Sequence, residues 1–105
     1  MTVYERTYEG LCAFQRSPEA QQLLRQGWSF VSSGWSLGRY ATSERTGHEW
    51  QLIVSSLPSG EYGWAIRDEQ SPFTFADAQG VGEASIGDAV DKLEAALAEP
   101  GAFSG

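Results

Sequence analysis

His48 is the sole histidine of the chain, and its side chain is the one whose ordinary pKa lies nearest neutrality, so acid–base chemistry would have to begin there. Glu49, Glu44 and Cys12 are the partners available for a base and a nucleophile. Adjacent residues of an extended chain point to opposite faces, so His48 and Glu49 do not form a dyad by projection along a strand. A solvated histidine at a strand end is the expectation. His48 with scattered carboxylates has no spacing that would hold a transition metal, and Asp88 with Asp91 lacks the loop pattern of a calcium site. The stretch Gly80-Val81-Gly82 ahead of a helix invites a phosphate-binding reading. It departs from the dinucleotide fingerprint, and Glu83 and Asp88 would repel a phosphate. No catalytic residue, metal site or cofactor is expected.

Charge says more. The formal net charge is −7 at pH 7, which opposes the phosphate neutralisation behind nucleic-acid binding and disfavours an anionic membrane surface. Up to residue 67 the acids Glu5, Glu9, Glu19, Glu44, Glu49 and Glu61 balance Arg6, Arg16, Arg25, Arg39, Arg45 and Arg67. The whole excess lies beyond, where Asp68, Glu69, Asp77, Glu83, Asp88, Asp91, Glu94 and Glu99 face only Lys92. Such asymmetry bears on partners rather than on fold.

The elements that would position these groups start from a central hairpin. Trp50, Leu52 and Val54 alternate with Gln51, Ile53 and Ser55, and Tyr62, Trp64 and Ile66 alternate with Gly63, Ala65 and Arg67, the period of half-buried strands. Leu57-Pro58-Ser59-Gly60 suits a type I turn closed by a glycine bulge, which sets Val54 opposite Trp64 and Leu52 opposite Ile66. Residues 28–33 and 34–42 predict two preceding strands joined at Gly34, with Gly38 marking a bulge or a close approach. Ser17-Pro18-Glu19 predicts a helix start and Gly27 its end, while Ser85 and Asp88 predict the cap of a last helix whose apolar stripe is Ile86, Ala89, Val90, Leu93, Ala96 and Leu97.

Three segments are less determined. Residues 2–8 are rich in β-formers, although Tyr4, Tyr8 and Leu11 also suit a helical stripe, and Gly10 favours the strand. Phe73-Thr74-Phe75 would make a short fifth strand kept at an edge by Pro72, and residues 76–84 have no period and read as a mobile lead-in. Residues 101–105 are expected to fray.

The result is one α+β domain over residues 1–100, a two-layer arrangement with a four- to five-stranded antiparallel meander and two helices on one face. No apolar run approaches the roughly 20 residues of a membrane helix, and Met-Thr-Val-Tyr-Glu-Arg is unlike an export signal, so a cytoplasmic protein is expected. The order of elements is similar to that of double-stranded RNA-binding domains and of small antitoxins, and Gly82 to Ala89 resembles the glycine-to-helix junction of the latter. RNA binders of this layout need basic groups that the last helix lacks.

A protein-binding role is the leading expectation, with a basic protein as partner, no direct nucleic-acid binding, no membrane, and a monomeric or homodimeric state. Asp88, Asp91, Glu94 and Glu99 would steer toward the partner and occupy a groove meant for nucleic acid. Trp35, Tyr40 and Ile53 would offer an exposed patch on the sheet. In size and charge the chain resembles small stoichiometric inhibitors, phage anti-CRISPR proteins and antitoxins among them. The alternative is a small-molecule binder or enzyme that combines the aromatic sheet face with His48 and Arg39 or Arg45.

Overall fold

Leu57 to Gly60 closes the central hairpin as its residues require. The Gly60 amide donates to the Leu57 carbonyl at 3.0 Å, Gly60 takes φ +88°, and the Leu57 amide reaches the Glu61 carbonyl at 2.9 Å. The computed structural model describes residues 4–31, 34–42, 49–68 and 78–98. Around the hairpin formed by β3 (Glu49–Ser56) and β4 (Tyr62–Asp68) run β1 (Ser29–Val31), β2 (Ser36–Thr42) and β5 (Ala78–Glu83). All neighbours are antiparallel, in the order β1-β2-β3-β4-β5. Val54 pairs with Trp64 and Leu52 with Ile66, the register that the turn and the alternation both select.

Among the described residues three helices accompany the sheet, one more than the sequence suggests: α1 (Tyr8–Arg16), α2 (Pro18–Arg25) and α3 (Ile86–Ala98). The β-strand expected at residues 2–8 is corrected. Residues 2 and 3 lie outside the described residues, Thr7 caps a helix by accepting from the Gly10 amide at 3.1 Å, and Tyr8 onward is helical. Phe14 supplies the reason. It is fully buried against Tyr4, Phe30 and Trp35, so a helix that carries Phe14 into the core wins over local β preference. Gly10 belongs to this helix because a Cβ there would run into the Glu5 carbonyl, where the preceding chain crosses close above.

Gly10→Ala is accordingly expected to destabilise the protein by about 1–3 kcal/mol, against the gain of about 1 kcal/mol that helix propensity alone assigns to alanine. A urea midpoint at or above wild type would show that the Glu5 segment does not press on this position.

Ser17 ends α1 and starts α2. Its amide donates to the Phe14 carbonyl at 3.1 Å and its hydroxyl accepts from the Ala20 amide at 3.3 Å. At the other end of α2, Gly27 takes φ +96° and donates to Leu24, while Trp28 donates back to Leu23, the paired bonds of a Schellman cap. That cap drives Trp28 into the core.

Residues 76–84, expected to be a mobile lead-in, contain regular structure instead. Residues 78–83 form the edge strand β5, and Gly80 is what lets them pair there: a side chain at Gly80 would strike the Trp64 indole. The short strand expected at Phe73–Phe75 and the tail at 101–105 lie outside the described residues.

Leu37, Leu52, Val54 and Ile66 from the sheet meet Ile86, Ala89 and Leu93 from α3 and Ala20 and Leu23 from α2 in one core. The opposite sheet face has no helix among the described residues. No helix among them is long and apolar enough to cross a membrane.

Candidate partner-binding surface

Ser85 sets the rotation of α3. Its hydroxyl accepts from the Asp88 amide at 3.1 Å, and the helix then buries Ile86, Ala89, Val90 and Leu93 against the sheet. At about 100° per residue the intervening positions must face away. Asp88, Asp91 and Glu94 are all exposed, with Lys92 as the cation among them. Asp88 also stands in the first turn, where the helix dipole favours an acid. Glu99, the fourth proposed carboxylate, lies outside the described residues.

The structure separates the three proposed sheet residues. Tyr40 and Ile53 share the face without helices, Tyr40 exposed by 56% and Ile53 half-buried between Gly38 and Ala65. Val31 packs over Gly38 on that face, and the Ser36 and Ser55 hydroxyls bond across it at 2.7 Å. Near the β5 edge, Ile53, Ala65 and Val81 line a shallow depression of about 160 Å³.

Trp35 belongs to the helix-covered side. Its ring stacks on Phe14 at 5.7 Å, and the Arg6 guanidinium lies 3.8 Å from its centroid while donating to the Ser56 carbonyl at 2.6 Å. Arg6 thereby straps the segment before α1 across the sheet, and burial lowers its pKa from the ordinary arginine value. Parity along β2 was the available signal, because Trp35 alternates in step with the buried Leu37 while Tyr40 does not.

Of the charged residues proposed for small-molecule chemistry, Arg39 is among the described residues. Arg39 lies 5.3 Å over the Trp28 ring and is half-buried, and His48, Glu44 and Arg45 lie outside the described residues. Among the described residues no three His, Cys, Asp or Glu side chains cluster as metal ligands. Cys12 is half-buried on α1.

Two depressions that the sequence does not reveal flank the acidic helix. A cleft of about 280 Å³ runs between α2 and α3, floored by Leu23, Ile86 and Val90 and rimmed by Glu19, Gln22, Gln26 and Asp91. A second, of about 390 Å³, opens where α2 and α3 begin and is lined by Tyr4, Ser17, Pro18, Glu19, Tyr62, Ala84 and Ser85. Glu19 and Ser85 border both, and among the described residues neither depression is lined by a lysine or an arginine.

Tyr62 is 5% exposed, and burial raises its pKa above the ordinary tyrosine value, with Tyr4 and Glu19 adding to the shift. The folded chain therefore holds this proton to higher pH than the unfolded chain. The stability it supplies is present below about pH 10 and is lost as pH rises through the folded pKa. Denaturant midpoints measured from pH 8 upward should fall more steeply above about pH 10 for wild type than for Tyr62→Phe. Parallel profiles would contradict this placement of the phenol.

No family model, curated protein or solved structure matches the chain.

Proposed function

We propose that this protein is an acidic, non-enzymatic binding module that docks on a basic protein and occludes the surface with which that partner holds nucleic acid. The observation that carries this reading is the orientation of α3: its apolar stripe is consumed by the core, so Asp88, Asp91 and Glu94 stand exposed on one side, at the end of the chain that holds the entire charge excess. Carboxylates arranged in this way raise the encounter rate with a positive surface and can stand where phosphates would. The module acts in the cytoplasm of a bacterial or infected host cell, as a monomer or homodimer, and as a stoichiometric inhibitor in the manner of anti-CRISPR proteins or antitoxins.

Capture of partners by the tagged protein from its native host, at low and at high salt, tests this reading. A basic nucleic-acid-binding protein retained at low salt and released at high salt is the expected result. Retention of an acidic partner, indifferent to salt, would refute it. The module itself should show no saturable binding to duplex DNA or RNA at physiological salt in a fluorescence anisotropy titration, because its net charge of −7 opposes the phosphate neutralisation that releases counterions.

A further inference from the structure

We propose that the depression where α2 and α3 begin receives an arginine side chain of the basic partner, its guanidinium held between the Glu19 carboxylate and the Tyr62 hydroxyl. The inference rests on the reading above and names the anchoring contact. Tyr62 is nine-tenths buried, it lines the depression, and its hydroxyl has no hydrogen-bond partner among the described residues. The hydroxyl opens to the depression, where it can accept from a donor bound there.

The surroundings select a cation. Two helix N-termini meet here, an arrangement that ordinarily favours an anion, but the Ser17 and Ser85 hydroxyls already accept from the Ala20 and Asp88 amides. Glu19 then adds a negative charge that no lysine or arginine among the described lining residues offsets. The Tyr4 ring, fixed edge-on to Phe14 at 5.6 Å, lines the same depression and adds an aromatic surface. Two separate acceptors beside aromatic rings suit a planar, weakly hydrated guanidinium better than a compact, strongly hydrated ammonium. The adjoining α2–α3 cleft, with its apolar floor and with Asp91 on its rim, would take the residue next to that arginine.

Titration of the isotope-labelled protein with a short capped peptide containing two arginines, followed by NMR, tests the contact. Saturable shifts of the Ala20, Tyr62 and Ser85 amides are expected, several-fold weaker for the lysine peptide and absent for the peptide with neutral citrulline. Glu19→Gln and Tyr62→Phe should each weaken the arginine peptide about tenfold while leaving the remaining amide spectrum in place. Tyr62→Phe keeps the buried ring, and Glu19→Gln alters no core atom, so neither readout depends on a loss of fold. Equal responses to arginine and citrulline peptides, or shifts confined to Asp88, Asp91 and Glu94, would overturn the inference. The two proposals fail separately: if capture of the basic partner stays salt-sensitive and unaltered in Glu19→Gln and Tyr62→Phe, the anchor is wrong and the docking reading stands.

Discussion

Replacing Phe14 with alanine should lower the free energy of unfolding by about 3–5 kcal/mol, the largest loss expected for any single truncation in this chain. Phe14 is fully buried, and its ring contacts Tyr4 at 5.6 Å, Trp35 at 5.7 Å and Phe30 at 6.4 Å. The truncation therefore removes buried area, opens a cavity and dissolves three aromatic pairs together. It also cuts the link between α1 and the sheet. A domain of this size is commonly stable by about 5–15 kcal/mol, so the variant should lie close to unfolding at physiological temperature. Tyr8→Ala is the control: the same helix carries Tyr8 at 81% exposure, and its loss should shift the urea midpoint little. Equal midpoints for wild type and Phe14→Ala would mean that α1 is not part of the cooperative core.

The second large effect is kinetic. The three-site variant Asp91→Asn, Glu94→Gln and Glu99→Gln should slow association with the basic partner by about tenfold at low ionic strength and flatten its salt dependence. Exposed carboxylates act through a field that salt screens over about 8 Å at physiological ionic strength, so their contribution resides in the encounter and fades as salt is added. Asp88 is spared because it stands in the first turn of α3, where its charge complements the helix dipole. The apolar stripe of α3 is untouched, and the melting temperature should remain near that of wild type. Stopped-flow association that is as fast for the variant as for wild type at low salt would reduce the acidic face to a solubilising coat. It would direct attention to the open sheet face around Tyr40 and Ile53.

Local and tertiary determinants account for which parts of this architecture can be read from the chain. The hairpin is legible because the Leu57–Gly60 turn and the alternation of Leu52, Val54, Trp64 and Ile66 specify one register independently. The start of α2 and of α3 is legible because Ser17 and Ser85 cap them with their own hydroxyls. By contrast, α1 is held by contacts of Phe14 with residues far along the chain, and Gly10 answers to the Glu5 carbonyl rather than to any turn. The strand β5 is almost devoid of β-formers, and it exists because Gly80 leaves room for the Trp64 ring on the neighbouring strand. The outward carboxylates of α3 follow from helical periodicity, whereas the meeting of Glu19 with Tyr4, Tyr62 and Ser85 joins four separate segments and has no local signature.

Displacement of nucleic acid from the captured basic partner, measured by fluorescence anisotropy as this protein is titrated in, tests the central claim most directly. The account predicts full release at a stoichiometric ratio of the two proteins, with the three-site variant requiring a large excess at the same salt concentration. A partner that binds this protein and retains its nucleic acid undiminished would contradict it.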